Sequence, residues 1–401
     1  MRFILGLFRI AFALTFILSG ALKLLSGALK LLDPVGTGLI VKEYLGFMHL
    51  DALEPAANSL GIALAVTEFT VGICVLSGLR IRIVAWIALL MTAGFTLLTF
   101  YLMRYNPISD CGCFGEAIHL TNTQTFIKNV ILLVLVIFIF LGRKRATRIA
   151  PPWLEWTFVG IFAVLALSVA IRALATIPQV DFTAYRVGNS LDELAQENQA
   201  RYETTFLYTK DGHTEEFTLD NLPDDSWTYL DSKTVQVGGS TKMAQVDFTL
   251  EQMEGPVLAV TIYDPESLDA EDQQRINQFR NAALLESQEV TVYGPTDEYV
   301  TSDRKSLMTL NRSNGGAVYF NDATIVAKWS NLELPDIDLP TILDEDPDVL
   351  ILRHRIREQL YVSILIVGAL VLMTIMRVIC KSFIRVPAPE TRKKNKTSPE
   401  E

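Results

Sequence analysis

Apolar residues form six runs of membrane-spanning length, and polar breaks of unequal length separate them. Each run approaches or exceeds the roughly 20 apolar residues that a helix needs to cross a bilayer. The pattern therefore predicts six transmembrane helices, with a soluble domain in the long polar break between the fifth and the sixth. The runs lie at about 3–32, 56–79, 83–103, 125–142, 153–176 and 360–380.

The long polar break, residues 177–358, carries 34 Asp and Glu against 14 Lys and Arg. It is long enough to bury a core of its own, and so acidic a segment disfavours nucleic acid as a partner. Its first part, 177–254, predicts a β-rich unit with a hairpin around Asp211-Gly212. Its second part, 255–358, predicts the order strand, helix, strand, helix and hairpin.

Basic residues indicate the orientation of the helices. They cluster at the start of the first helix, in the links at 80–82 and 143–148, and in the tail at 381–401. With six crossings, all four clusters fall on one side, which predicts cytoplasmic termini in a bacterial inner membrane. The polar domain and the break at 110–116 then lie on the exported side. Membrane lipid is accordingly one expected partner.

The break at 110–116 reads Asp-Cys-Gly-Cys-Phe-Gly-Glu and holds two of the four cysteines, Cys111 and Cys113. Its glycines allow a sharp turn that brings the two sulfurs together. A disulfide across one residue is strained and therefore oxidising, which suits disulfide transfer to exported protein thiols. We take Cys111 and Cys113 as the candidate catalytic residues, and a structural loop bond without turnover stays open.

A metal site is the third interpretation of the break. Two thiolates supply half of a tetrahedral zinc site, so His119 with Asp110 or Glu116 would have to complete it. We predict no bound metal. Asp110 and Glu116 would instead raise the pKa of the thiols by like-charge repulsion. Arg104 and Lys128, at the neighbouring helix ends, would oppose them.

Two further features lie in the first two apolar runs. The heptad SGALKLL occurs twice in succession, at 19–25 and 26–32, which lengthens the helix by ~10 Å with little change of face. Asp33-Pro34 then ends this helix. Glu68 falls near mid-membrane, where a carboxylate normally faces the bundle interior with a partner. It is either a proton relay or quinone contact beside the thiols, which makes quinone the candidate cofactor, or a structural hydrogen-bonding group.

Residues 1–142 resemble the DoxX/MauE-like membrane proteins. The resemblance rests on Ser19-Gly20 with its lysine, on Leu31–Thr37, on Lys42–Leu45, and on the Cys-x-Cys-Phe-Gly loop followed by Leu120-Thr121-Asn122. It implies a four-helix membrane bundle linked to thiol–disulfide metabolism, because MauE-type proteins are associated with disulfide formation in exported partners. The helices at 143–176 and 359–380 would be additions to this bundle.

Residues 255–335 resemble the thioredoxin-like fold in their element order and in the final hairpin. The usual Cys-x-x-Cys position reads Asp264-Pro265-Glu266-Ser267, the usual cis-proline position reads Gly315-Gly316, and 177–358 contains no cysteine. The domain therefore cannot exchange disulfides itself. We expect Asp264, Pro265, Gly315 and Gly316 to form a partner groove whose backbone amides hold a peptide near the cysteine loop.

The predicted fold class is an α-helical membrane bundle, with a four-helix core and two further transmembrane helices, joined to an α/β thioredoxin-like soluble domain. The predicted function is an inner-membrane component of thiol–disulfide metabolism whose Cys-Gly-Cys pair exchanges disulfides with a protein docked on the soluble domain. The alternative is a non-catalytic scaffold or partner-binding protein whose loop cysteines are structural.

Overall fold

The computed structural model describes residues 23–105, 120–144, 149–198, 201–210, 213–218, 223, 227–238 and 255–383. The predicted redox segment lies outside the described residues, and so do Asp110, Cys111, Cys113, Glu116 and His119. The same holds for the first 22 residues and for most of the basic tail.

The N-terminal part is a bundle of helices. Its members are α1 (Lys23–Leu32), α2 (Pro34–Phe47), α3 (Ala57–Ser77), α4 (Ile81–Tyr105), α5 (Asn122–Gly142) and α6 (Pro152–Ala175). The chain bends by 105° between α1 and α2. Asp33 causes this break as predicted, because it caps α2 by accepting a hydrogen bond from the amide of Gly36, and Pro34 occupies the first helical position.

The soluble part adds α7 (Leu191–Asn198) and two sheets before the last helices. The first sheet contains β1 (Arg201–Lys210), β2 (His213–Thr218) and β3 (Thr228–Gly238) in the antiparallel order β2-β1-β3. Lys210 pairs with His213, so the predicted hairpin around Asp211-Gly212 is confirmed by its register.

The second sheet follows the predicted alternation of strands and helices. Its elements in chain order are β4 (Pro256–Thr261), α8 (Ala270–Leu285), β5 (Val290–Gly294), β6 (Val300–Thr301), α9 (Arg304–Leu310), β7 (Gly316–Asn321) and β8 (Thr324–Trp329). The strand order is β6-β5-β4-β7-β8. Strands β4, β5 and β6 are parallel, whereas β7 runs antiparallel to both β4 and β8.

The central strand β4 is apolar at successive positions because both faces of its sheet are covered. Leu258 packs with Phe279 of α8 on one face, and Ala259 packs with Tyr185 and Leu191 on the other. The segment from Tyr185 to Leu194 therefore packs with the second sheet, although the sequence analysis grouped it with the β-rich unit at 177–254. The reason is its apolar spacing, which fills the face that α8 leaves open.

The chain returns to the bundle through α10 (Leu339–Asp344) and α11 (Pro347–Ser382). The predicted sixth helix is continuous with the residues before it in one helix of 36 residues, about 54 Å long. Five described helical segments are long and apolar enough to cross a membrane, and the bent pair α1–α2 would make a sixth. Apolar side chains such as Leu97 (72% exposed) and Ile364 (60%) face outward, as lipid contact requires.

The described residues of the basic links at 80–82 and 143–148 lie at one end of the bundle. Arg82 lies against the carbonyl oxygen of Lys144 at 3.5 Å, and Arg80 lies 3.7 Å from Glu155 at the start of α6. Cys380, just before the basic tail, packs in the same cluster as Cys74 near this end. The described parts of these clusters therefore share one end of the bundle, as the sequence predicted.

Candidate functional site

The most polar place inside the bundle is a buried ion pair between α1 and α3. The ammonium of Lys30 donates to Glu68 Oε2 at 2.7 Å, and the hydroxyl of Ser26 donates to the same oxygen at 3.0 Å. Both side chains of the Lys30–Glu68 pair are more than nine-tenths buried. Glu68 therefore faces the bundle interior. Its hydrogen bonds with Lys30 and Ser26 replace the water that would solvate a carboxylate outside the membrane.

Gly27 explains how these groups reach one another. Its Cα lies so close to α3 that an added Cβ would clash with the backbone nitrogen of Phe69 and crowd the carbonyl oxygen of Ala65. Small residues permit such close approach of membrane helices. Ser26 and Lys30 lie on either side of this contact point, one turn apart, so both are directed at Glu68.

Lys23 extends the cluster. Heptad spacing places it on the same face of α1 as Lys30, and its side chain is 4% exposed. It lies within electrostatic reach of Glu68, Lys30 and Lys128. Among the described residues it forms no hydrogen bond and no ion pair. The cluster thus brings Lys23, Lys30 and Glu68 together in the bundle interior, with the partly exposed Lys128 within electrostatic reach of Lys23.

Helices α4 and α5 close the other side of the cluster. The ring of Phe95 on α4 lies 5.8 Å from the ammonium of Lys30, within the range of a cation–π interaction. Asn129 on α5 donates to the hydroxyl of Thr99 at 3.2 Å. Lys128 precedes Asn129 by one residue and stands in the second turn of α5. The predicted thiol-tuning residue Lys128 therefore lies within electrostatic reach of Lys23, whereas Arg104 is exposed at the end of α4 beside Tyr105.

The soluble domain sits on the end of the bundle where α1 meets α2. Arg312, two residues after α9, donates to Asp33 Oδ2 at 2.8 Å, and both side chains are almost fully buried. Lys305 and Glu43 form a second, half-exposed pair at 3.1 Å. The ring contact of Phe47 with Tyr101 at 5.3 Å places the end of α4 near α2 as well. The end of α4, which precedes residues 106–119, therefore lies at the end of the bundle that the soluble domain covers.

The predicted partner groove is closed, and the expectation that its backbone amides are accessible was wrong. The amide of Gly315 donates to Thr261 O at 2.8 Å, and that of Gly316 donates to Ser313 O at 3.2 Å. Both glycines are buried.

Asn314 fills the space between the two edges of this groove. Its Oδ1 accepts from the amides of Tyr263 and Asp264, and its Nδ2 donates to Asp264 O. Asp264 also pairs with Arg304, and Pro265 lies in a short 3₁₀ turn. An extended peptide has no free backbone edge there.

A second buried pair fixes the linker after α6 to the soluble domain. Lys328 on β8 donates to Asp181 Oδ2 at 2.7 Å, and Glu358 on α11 accepts the amide of Asp181. Burial alone would raise the pKa of Asp181. The charge of Lys328 and the hydrogen bonds from Lys328 and Thr183 outweigh this effect and hold the pKa below its ordinary value of 3.8.

Sequence reasoning missed Lys23, Lys30, Asp33 and Arg312 as site residues. The two lysines carried a signal, because basic residues inside an apolar run are costly unless they face a polar interior. Asp33 and Arg312 carried none, because 279 positions separate them in the chain.

The helices and the polar bundle interior define a multi-pass membrane protein. The family model described as methylamine utilisation protein MauE matches residues 1–142, so this part of the chain, which includes α1 to α5, is similar to that family. That match indicates a redox or methylamine-utilisation context. A second model, a domain of unknown function (DUF8463), matches residues 202–238, which cover β1 to β3. No curated protein and no solved structure matches the chain.

Proposed function

We propose that this protein is a membrane component of thiol–disulfide metabolism in which Cys111 and Cys113 exchange a disulfide with exported proteins. The MauE match carries the proposal, because it spans the segment with both cysteines and the whole buried cluster of Glu68. The orientation with cytoplasmic termini is part of the proposal, and it exposes the loop to a compartment where disulfides persist.

The exchange is balanced without any further reactant. A partner dithiol gives up two S–H bonds and gains one S–S bond, while the Cys111–Cys113 disulfide becomes a dithiol. Reoxidation of that dithiol releases two electrons and two protons to a membrane acceptor. Quinone is the candidate acceptor, and Glu68 is the candidate contact or proton relay beside it.

The soluble domain supports the exchange through position rather than chemistry. It has no cysteine, and its element order is that of the thioredoxin-like fold to which we assign it. The end that would carry thioredoxin chemistry is occupied by Asn314 and by the contact of Arg312 with Asp33. A client would thus meet the cysteine loop at the covered end of the bundle, and not in a peptide groove.

A non-catalytic scaffold is the second candidate. The observation that favours it is the docking of a cysteine-free domain onto its own bundle through a buried ion pair. In that case the loop cysteines would only stabilise the bundle, and the soluble domain would cover its exported face.

Trapping of a mixed disulfide separates the two candidates. Cys113→Ala leaves Cys111 without its resolving thiol, so a covalent adduct of a partner on Cys111 should accumulate. If Cys113 is instead the thiol that attacks the partner, Cys111→Ala should trap the adduct on Cys113. Cys74→Ala with Cys380→Ala is the matched control, because both of those thiols are buried. The adduct should persist in that control background. Two results together would establish the scaffold. Neither single variant would form an adduct, and a variant that lacks both Cys111 and Cys113 would fully complement a deletion of the gene.

A further inference from the structure

Three cations at the basic end of the bundle have no carboxylate partner among the described residues. They are Arg82 in the first turn of α4, and Arg143 and Lys144 directly after α5. Arg82 Nη2 donates to Lys144 O at 3.5 Å, so Arg82 reaches the chain that follows α5. Glu155, the buried carboxylate at this end, is already engaged by Arg80 at 3.7 Å. The charges of the three cations are therefore left for an anion from outside the described chain.

Two aromatic rings hold Arg143 where α4 and α5 meet. Its guanidinium carbon lies 3.5 Å from the ring centre of Phe140 and 5.2 Å from that of Trp86. The two rings themselves meet edge to face, with their centres 4.4 Å apart. Arg143 Nη1 also donates to Phe140 O. A guanidinium has five N–H donors, so most of those of Arg143 are left for an acceptor outside the protein.

An outward-facing apolar stripe continues from these cations into the membrane. Arg82, Trp86 and Leu90 recur every four residues on one face of α4, and Trp86 and Leu90 are 49% and 67% exposed. The helical rise puts Trp86 about 6 Å and Leu90 about 12 Å deeper than Arg82. Positive charge, then tryptophan, then aliphatic surface is the order that matches the headgroup, the interface and the acyl chains of one leaflet.

We propose that this surface, formed by Arg82, Trp86, Leu90, Arg143 and Lys144, binds an anionic phospholipid. The lipid phosphate accepts hydrogen bonds from Arg82 and Arg143, whose planar guanidinium groups match phosphate oxygens, and Lys144 adds to the attraction. An acyl chain lies along Trp86 and Leu90. A soluble phosphate would meet the cations but leave the apolar stripe uncovered, so a lipid fits the whole surface. A zwitterionic lipid fits less well, because its own cation would face the three positive charges.

Native mass spectrometry of the full-length protein with added lipids tests the proposal. The wild type should bind cardiolipin and phosphatidylglycerol about tenfold or more tightly than phosphatidylcholine. Arg82→Met combined with Arg143→Met should abolish most of this preference, because each charge-assisted hydrogen bond contributes about tenfold in affinity. Arg172→Met is the matched control, since Arg172 is an exposed arginine in the last turn of α6, and it should keep the preference. A wild type without the preference, or a double variant that retains it, would overturn the proposal.

A photoreactive phosphatidylglycerol, with its reactive group beside the phosphate, tests the same surface without any substitution. In the wild-type protein in lipid nanodiscs it should label the peptides that contain residues 82–86 and 140–144. Excess cardiolipin should suppress this label, whereas excess glycerol 3-phosphate should not. Label spread evenly over all helix ends would reject the surface. Full suppression by glycerol 3-phosphate would identify a soluble phosphate as the ligand and reject the lipid.

Discussion

Replacement of Arg312 by methionine should loosen the soluble domain from the bundle. The side chains of Arg312 and Asp33 are 3% and 6% exposed, so solvent does not screen the attraction between them. Removing one partner of such a buried pair costs about 3–5 kcal/mol, because the other charge stays buried and unpaired. At 1.4 kcal/mol for each factor of ten, the docking equilibrium should fall by roughly a hundredfold to several thousandfold.

Two matched variants isolate the ion pair from other effects. Asp33→Asn removes the charge but keeps an oxygen for the amide of Gly36, so the cap of α2 survives. It should weaken docking about as much as Arg312→Met. The double variant should recover part of the loss, because no charge is then left buried alone. Lys305→Met removes a half-exposed pair and should cost no more than about 1 kcal/mol.

Hydrogen exchange of the interface segments 33–43 and 304–314 measures the opening of the docked state. Arg312→Met and Asp33→Asn should speed exchange there by about a hundredfold or more, and Lys305→Met should change it several-fold at most. A carbodiimide crosslink between Lys305 and Glu43, whose charged groups are 3.1 Å apart, reports the docked state in the Arg312 and Asp33 variants. Equal exchange in Arg312→Met and Lys305→Met would refute the argument that burial sets the strength of this contact.

Two further predictions concern the bundle and the linker. Gly27→Ala should destabilise the α1–α3 contact by about 1–3 kcal/mol through overpacking, while Gly94→Ala, where nothing lies within 4 Å of the added carbon, should be neutral in the same thermal-unfolding assay. The lowered pKa of Asp181 stabilises the fold above its ordinary value of 3.8, and this stability should disappear as pH falls through the lower pKa of the folded state. Urea midpoints of the wild type and of Lys328→Met, measured from pH 6 to pH 3, test this. The same pH dependence of the midpoint in both proteins would contradict it.

The membrane helices and the succession of strands and helices along residues 255–335 could be predicted because strong physical requirements generate them. A membrane forces backbone groups to pair within each helix, so spanning runs must be long and apolar. The central strand β4 is apolar on both faces because it is covered on both faces, and the Asp211-Gly212 dipeptide marks the hairpin of β1 and β2. These signals are local, and they survive without knowledge of the rest of the fold.

The docking of the soluble domain could not be predicted, because it depends on contacts between distant parts of the chain. Asp33 ends α1 through its local geometry, and the sequence analysis found that role. Its second role, as the partner of Arg312, depends on the position of a domain that begins more than 140 residues later. A single sequence contains no local signal for such a pair.

The prediction of a partner groove was wrong for a different reason. Glycines at 315 and 316 were expected to leave their amides open, because glycine removes side-chain cover. In the structure, the lack of a side chain at Gly316 instead allows close packing, since an added carbon there would crowd Trp329 O and Asn311. The amide side chain of Asn314 then satisfies the backbone groups that a peptide would have bound.

The redox state of Cys111 and Cys113 in intact spheroplasts tests the central claim most directly. An impermeant thiol reagent applied before and after a brief reductant challenge counts the accessible thiols, in a Cys74→Ala, Cys380→Ala background that leaves only the loop pair. The account predicts no labelling before the challenge, two labelled thiols directly after it, and a return to the oxidised state when the reductant is removed. Labelling that requires broken membranes, or thiols that stay reduced once the reductant is gone, would contradict it.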